Sequence, residues 1–382
     1  MRVVMVSKAC LVGIYQRKLE EIARFPDVEL TVVVPAAWRD GGHSQQLERT
    51  HTEGYDLVVE PVTFNGSFHL HFYPHLGQRI REAQPDLVHI DEEPYNLATA
   101  HALWLANRHG ARALWFTWQN LNRRYPLPFR LVERYNLGHA DFGIAGSKGA
   151  VEVWRAKGYT GPMAVIPQFG VDPSLFRPRR AKLSRGLSRL QRAAARRDAG
   201  RGFTIGYVGR LVQEKGVDLL LQALADVPGG WFLHVVGRGP EEERLKAQVR
   251  HLGLAHRVTF EGWMPSFRMP VFYEQLDALV LPSRSRPNWV EQFGRVLIEA
   301  MASGVPVIGS DCGEIPTVIG EAGLIFPEND VPALRACLDR IMDDTALWND
   351  LAQRGQERVL AHYTQERIAA KTVAVYRRML AE

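Results

Sequence analysis

The chain has 382 residues, 46% of them hydrophobic and 23% charged, with a formal net charge of +5; that length exceeds what one hydrophobic core organises, so two domains of roughly 150–200 residues are expected. The composition excludes disordered and fibrous proteins, and Cys10, Cys312 and Cys337 lie far apart with no CxxC spacing for zinc or redox work, which suits a reducing cytoplasm. No stretch reaches the roughly 20 apolar residues that cross a bilayer, which excludes helical membrane insertion and leaves only peripheral contact.

The opening MRVVMVSKACLVG reads as a first strand, because charges soon interrupt its apolar run and no small-residue cleavage site follows. Strand-length β-branched runs then recur at Arg2–Ser7, Leu30–Pro35, Asp56–Val62, Asp86–Asp91, Ala113–Trp118, Phe142–Ser147 and Met163–Gln168, with amphipathic stretches between them. This is the rhythm of βαβ units. VVMV, TVVV and DLVHI are apolar without alternation, as strands buried on both faces are, so the sheet is expected to be parallel and flanked by helices.

After VDPSLFRPRRAKLSRG the pattern restarts at Phe203–Gly209, Phe232–Gly237, Val258–Glu261, Ala278–Ser283, Pro306–Asp311 and Gly323–Phe326, which predicts a second sheet. The expected division is 1–172, a basic interdomain segment 173–202, and 203–363, with a last helix at about 364–382 packing back on the first domain. Helices around Asp330–Asp343, Leu347–His362 and Glu366–Leu380 carry no recognisable chemistry. The predicted fold class is α/β, two Rossmann-like parallel-sheet domains facing a cleft, and open sheets of this kind bind ligands at the carboxyl ends of their strands.

Residues 177–201 hold ten Lys/Arg against the single acid Asp198. The plain reading is a solvated loop or short surface helix, since Gly186, Gly200 and Gly202 break any long one and aromatic anchors are absent. The alternative is contact with an anionic membrane surface, for which Leu183, Leu187 and Leu190 give a narrow apolar edge. No nucleic acid partner is expected.

Two motifs carry chemistry. In Ile205-Gly206-Tyr207-Val208-Gly209-Arg210-Leu211-Val212-Gln213-Glu214-Lys215-Gly216 a strand ends at a glycine and two cations follow five residues apart; with the bare amides of a helix start they make a diphosphate site, and standing alone they are a solvated turn. In Glu291-Gln292-Phe293-Gly294-Arg295-Val296-Leu297-Ile298-Glu299 two carboxylates stand eight residues apart. Each can accept bonds from vicinal hydroxyls, Glu299 from a ribose and Glu291 from a hexose. The plainer reading of Glu299 is an exposed i,i+4 pair with Arg295.

GYVGRLVQEKG, VVGRGPEEERL, VTFEGWMP, LPS and EQFGRVLIEAMASGVPVIGSDCGEIPTVI, in that order, resemble the donor domain of the family 4 retaining glycosyltransferases of the GT-B fold, over residues 203–328. In the first half only the strand–helix rhythm and the crossover-like PQFGVDPSLF (167–176) are similar. The resemblance implies that Arg210 and Lys215 neutralise the diphosphate of a nucleotide-sugar, with Gly209 making room for it. It further implies that Glu299 binds the ribose and Glu291 the transferred sugar, with the amides of Phe293 and Gly294 facing the same ring, and that Gly237, Arg238, Trp263 and Met264 lie near the nucleoside. A front-face displacement follows from it, with a donor phosphate oxygen taking the acceptor proton. The chain has no Asp-x-Asp sequence, so no metal and no other cofactor is expected.

The chain departs from the family pattern in its first half. The first βα loop, Ser7-Lys8-Ala9-Cys10-Leu11-Val12-Gly13, keeps only Gly13 to admit a phosphate or acceptor closely, and Gln119 stands where many relatives have histidine. An amide cannot serve as a base near pH 7. Gln119 and Asn120 are candidates to orient the acceptor, as are Glu92 and Glu93 after the fourth strand, although acids before Pro94 equally suit a helix start. His43, His51, His69, His71 and His75 fall in or beside a stretch of little periodicity; no pair has the i,i+4 spacing of a zinc motif, though His69 and His71 could share a strand face. Trp115, Trp118 and Tyr125 could stack on a sugar, Trp115 being better explained as core.

Two rival classes are weaker. A dehydrogenase wants G-x-G-x-x-G, of which the chain offers Gly237-Arg238-Gly239 without the third glycine. An inactive membrane scaffold is at odds with the intact Arg210, Lys215, Glu291 and Glu299.

Overall fold

The computed structural model describes residues 1–40, 43–178 and 202–381, and the chain divides into two compact units, Met1–Gly170 with Gln365–Glu382, and Val171–Thr364. The basic stretch 179–201 lies outside the described residues.

The first unit is built on seven parallel strands. In chain order its elements are β1 (Arg2–Val6), α1 (Arg17–Ala23), β2 (Glu29–Pro35), β3 (Ala37–Asp40), β4 (His43–Gln46), β5 (Asp56–Glu60), α2 (Leu76–Ala83), β6 (Leu87–Ile90), α3 (Leu97–Arg108), β7 (Arg112–Thr117), α4 (Leu127–His139), β8 (Phe142–Ala145), α5 (Lys148–Ala156) and β9 (Met163–Val165). The sheet order is β5-β2-β1-β6-β7-β8-β9. The unbroken apolar runs do line both faces: Val3 and Met5 join one buried cluster, Val4 and Val6 the other. The antiparallel pair β3–β4 lies apart from this sheet. It falls in the stretch that the sequence leaves without periodicity, because AWRD and HSQQ show no apolar alternation.

The second unit runs β10 (Phe203–Val208), α6 (Val217–Ala225), β11 (Trp231–Val236), α7 (Glu242–His251), β12 (Val258–Gly262), α8 (Met269–Tyr273), β13 (Ala278–Leu281), α9 (Arg295–Ala302), β14 (Val307–Ser310), α10 (Ile315–Ile319), β15 (Gly323–Phe326), α11 (Val331–Asp343) and α12 (Thr345–His362). Its six strands are parallel in the order β12-β11-β10-β13-β14-β15. Asp330 and Asp344 start the last two helices by accepting from Ala333 N and Leu347 N, each at 2.9 Å. Both sheets expected from the sequence are therefore present, with ends within two residues of the predicted runs at most strands.

Helix α13 (Gln365–Ala381) returns to the first unit. Its Ile368, Val373, Tyr376 and Met379 are buried in the same cluster as Val3, Met5 and Leu19. The Tyr376 hydroxyl lies 2.6 Å from His89 Nδ1 inside that core, where burial pushes the His89 imidazole down to about 3. No helix among the described residues is long and apolar enough to cross a membrane.

Candidate functional site

In each sheet the strand order reverses once, between β1 and β6 in the first unit and between β10 and β13 in the second. Loops leaving neighbouring strands at such a point turn opposite ways and open a crevice at the carboxyl ends. The loops that hold Arg210, Lys215 and Glu291, and the helix that carries Glu299, follow the strands at the second of these points.

Two glycines bring the loops of the second unit together. Gly237 has φ 140°, and a Cβ there would stand 1.8 Å from Gly209 O; the loops after β10 and β11 are joined by Gly209 N to Val236 O at 3.0 Å and Leu211 N to Arg238 O at 2.9 Å. Gly216, at φ 66°, would place a Cβ 1.9 Å from Pro282 O. Only glycine therefore lets the turn Gln213–Lys215 rest against the end of β13. Arg284 fixes the contact, giving its backbone N–H to Glu214 O and Nε–H to Gln213 O, both at 2.8 Å, and Nη2–H to Asp218 Oδ1 at 2.9 Å.

Within this frame Lys215 Nζ donates to Glu291 Oε2 at 2.5 Å, with the side chains only 15% and 9% exposed. Ser283 Oγ donates to the same oxygen at 3.0 Å, and the ammonium lies 4.9 Å from the centre of the Trp289 ring. Glu299, one turn into α9, is buried. It accepts from Arg295 Nε at 2.9 Å and from the Tyr273 hydroxyl at 2.8 Å. The pair with Arg295 is thus present but sits on a buried carboxylate, not an exposed one, and burial followed by the Glu299 charge pushes the Tyr273 phenol well above its ordinary range.

The other predicted residues of this unit are distributed around the same strand ends. Gly294 opens α9 at φ 77°, and Phe293 is buried edge-on to Tyr363 at 5.7 Å. Arg210 and Arg238 are exposed, Met264 is half-buried and Trp263 is 68% exposed. The structure joins Lys215 to Glu291 directly; the Arg210 guanidinium makes no ion pair among the described residues. Ser283, Arg284, Trp289 and Tyr273 take part in this arrangement without being singled out in the sequence. Ser283 falls inside the LPS motif, whereas Tyr273 had no signal, since 26 residues separate it from Glu299.

In the first unit the loops after β1, β6 and β7 converge. Lys8 donates to Glu92 through its backbone N–H at 3.1 Å and its ammonium at 2.9 Å. Burial alone would raise the Glu92 carboxyl, but the Lys8 charge and the neighbouring His71 hold it down at about 2. Glu93 accepts from Thr117 Oγ1 at 2.6 Å and Trp118 N at 2.8 Å, and burial pushes it up to about 7 against those bonds. Gln119 is buried, with Nε2 3.4 Å from the Tyr125 hydroxyl and Oε1 without a partner. Asn120 is half-buried beside it.

Gly13 differs from expectation. Its N–H donates to Glu48 Oε2 at 2.7 Å, and a Cβ there would meet Thr50 Oγ1 at 2.2 Å, so the room left by the missing side chain is filled by residues 48–50 of the chain. Trp115 is fully buried core, as is His71. His69 packs on Tyr95, Tyr125 and Phe129 at ring separations of 5.4, 5.4 and 5.0 Å. No cluster of three or more metal-ligating side chains occurs among the described residues.

Two family models match the chain, one for glycosyl transferases group 1 over residues 192–358 and one for glycosyltransferase family 4 over residues 20–175. The chain is 33% identical over 231 residues to the lipopolysaccharide core biosynthesis mannosyltransferase LpcC of Rhizobium leguminosarum bv. viciae, which takes in 58% of this chain and 61% of that one. It is 30% identical over 220 residues to a GDP-mannose-dependent alpha-(1-6)-phosphatidylinositol monomannoside mannosyltransferase of Mycobacterium tuberculosis, 55% of each chain. The chain thus spans between 55% and 61% of the length of these two curated relatives. Among solved structures, Anabaena Alr3699/HepE in complex with UDP superposes with a TM-score of 0.74 at 19% identity, over 98% of this chain and 99% of that one.

Proposed function

Given that the chain belongs to the group 1 glycosyltransferases, on the GT-B fold, we propose that it moves a hexose from a nucleotide-diphosphate sugar to a glycan, lipid or small-molecule acceptor, with retention and without a metal ion. The observation that carries this reading is the Lys215–Glu291 contact at the β10/β13 switch point, in the same unit as the buried Glu299.

Arg210 and Lys215 meet the diphosphate. Lys215 donates one N–H to Glu291 and turns another side to Trp289, which leaves an N–H for a phosphate oxygen. Glu299, set by Arg295 and Tyr273, takes the ribose hydroxyls on its remaining lone pairs, and Glu291 with the amides of Phe293 and Gly294 holds the hexose. Gly209, Gly237, Arg238, Trp263 and Met264 surround the nucleoside and diphosphate.

Transfer proceeds on one face of the sugar. The bond from the anomeric carbon to the leaving phosphate oxygen breaks as the bond to the acceptor oxygen forms. The acceptor proton passes to a donor phosphate oxygen, so the nucleoside diphosphate leaves with it. Lys215, held by Glu291, and Arg210 place two positive charges at the departing group and lower the barrier as an oxyanion site does. Cations from the protein and the absence of an Asp-x-Asp sequence support metal independence. Glu92, Glu93, Gln119 and Asn120, at the ends of β6 and β7, are assigned to the acceptor side.

One relative is named for GDP-mannose and one structural neighbour holds UDP, so the base is a matter for titration. Calorimetry and thermal shift with UDP, GDP, ADP and their common sugars, with and without EDTA, are expected to give metal-free stabilisation by one nucleotide that Glu299→Ala loses. Failure of every nucleotide to bind would overturn the assignment.

A further inference from the structure

We propose that Trp289 is a positioning residue for the transfer: its ring face sets the Lys215 ammonium so that an N–H not taken by Glu291 meets the terminal phosphate of the donor diphosphate. The proposal rests on the donor-site reading above. Trp289 stands in the segment between LPS and EQFG, where it closes the turn Arg286-Pro287-Asn288-Trp289. Arg286 N donates to Trp289 O at 2.7 Å and Trp289 N to Arg286 O at 3.1 Å, and proline at the second position brings the φ that such a turn requires.

The turn is tied down on two sides. Ser285 gives its N–H and its hydroxyl to the two oxygens of Glu328, at 2.5 and 2.6 Å. Arg286 Nη2–H goes to Gln213 Oε1 at 2.8 Å, and Gln213 opens the short turn that ends in Lys215. The segment is therefore fastened to the piece of chain that carries the ammonium, and the half-buried Trp289 is brought back over it.

A lysine ammonium has three N–H groups on a rotatable bond, so the bond to Glu291 fixes one of them and lets the other two swing about it. An attractive ring face 4.9 Å away takes up a second direction, and the third N–H then has a set course. A second carboxylate in place of the ring would hold the ammonium as firmly but cancel the charge that a departing diphosphate needs. The aromatic face holds the cation without adding negative charge, and its attraction grows where water is withdrawn, as it is around a side chain only 15% exposed. A ring acting as a cover alone would need no more than its apolar bulk.

The test is calorimetry on the wild type, Trp289→Ala, Trp289→Leu and Trp289→Phe with UDP, GDP, ADP and the matching monophosphates. The monophosphate lacks the terminal phosphate, so a lost aim shows as a lost preference for the diphosphate. Trp289→Ala and Trp289→Leu are expected to bind the preferred diphosphate about tenfold more weakly than the wild type, with unchanged affinity for its monophosphate. Trp289→Phe should stay within about threefold for both. Leucine keeps the apolar cover and phenylalanine the ring face, so the order of these two variants separates aim from packing. Wild-type diphosphate affinity in Trp289→Leu, or equal losses for diphosphate and monophosphate, would overturn the proposal and leave the donor site standing. A wild type that binds none of the nucleotides would overturn the donor-site reading and this proposal with it.

Discussion

The Lys215 ammonium rests 2.5 Å from the Glu291 carboxylate, a contact between residues 76 positions apart. Both side chains are largely withdrawn from water, so removing one takes the opposite charge from the other. Lys215→Ala is expected to lower kcat by at least ~100-fold and to destabilise the protein by on the order of 3 kcal/mol. Lys215→Met/Glu291→Gln should recover the melting temperature without the rate. Single-turnover kinetics and thermal melts separate the two effects, and a near-normal rate in Lys215→Ala would remove the lysine from the transfer step.

Tyr273 holds the second oxygen of Glu299 from α8. A bond to a buried charge of this kind contributes about 1.5–3 kcal/mol. Tyr273→Phe should show that loss in urea unfolding, and should also weaken nucleotide binding, because Arg295 alone would then set the carboxylate. Unchanged stability and affinity together would assign Glu299 its orientation from Arg295 only.

Glu92 and Glu93 give opposite pH dependences. Burial holds the folded Glu93 carboxyl at about 7 against its ordinary 4.5. The folded state therefore binds its proton more tightly than the unfolded chain does, and the stability this confers is complete below the unfolded value and lost as pH rises through about 7. Glu92, held at about 2, stabilises above its unfolded value and loses that contribution as pH falls towards about 2. Between about pH 5 and about pH 8 the wild type should lose on the order of 2 kcal/mol relative to Glu93→Gln. Parallel melts of the two proteins diverging with rising pH are the expected result; parallel curves would count against a neutral Glu93.

Gly216 and Gly138 make a contrasting pair. Gly216→Ala forces a Cβ against Pro282 O at 1.9 Å with φ 66°, and should lower stability by about 2 kcal/mol or more while abolishing nucleotide binding, because the Lys215 turn is displaced. Gly138→Ala meets nothing within 4 Å inside α4, and should stabilise by about 0.5–1 kcal/mol. Denaturant midpoints and calorimetry on both variants check the signs.

Much of this was readable from sequence because it is local. VVMV and TVVV have the unbroken apolar character of doubly buried strands, and Gly216 follows Lys215 directly in the chain. What escaped is what distant segments do to one another. Ser283 and Tyr273 reach Glu291 and Glu299 only when β13 and α8 pack beside β10 and α9. The meeting of Gly13 with Thr50 requires two loops of the first unit to close on each other, which reverses the opening that a glycine in a βα loop suggests. The β3–β4 pair, AWRD against HSQQ, leaves no periodic apolar trace.

The return of α13 to the first unit constrains the order in which the chain can mature. All seven strands of that unit emerge from the ribosome before the second unit is begun, yet Ile368, Val373, Tyr376 and Met379 belong to their core. Throughout synthesis of residues 171–364 the face formed by Val3, Met5, Leu19 and Ile22 lacks the helix that covers it. The nascent first unit therefore leaves that apolar face open until α13 has been made.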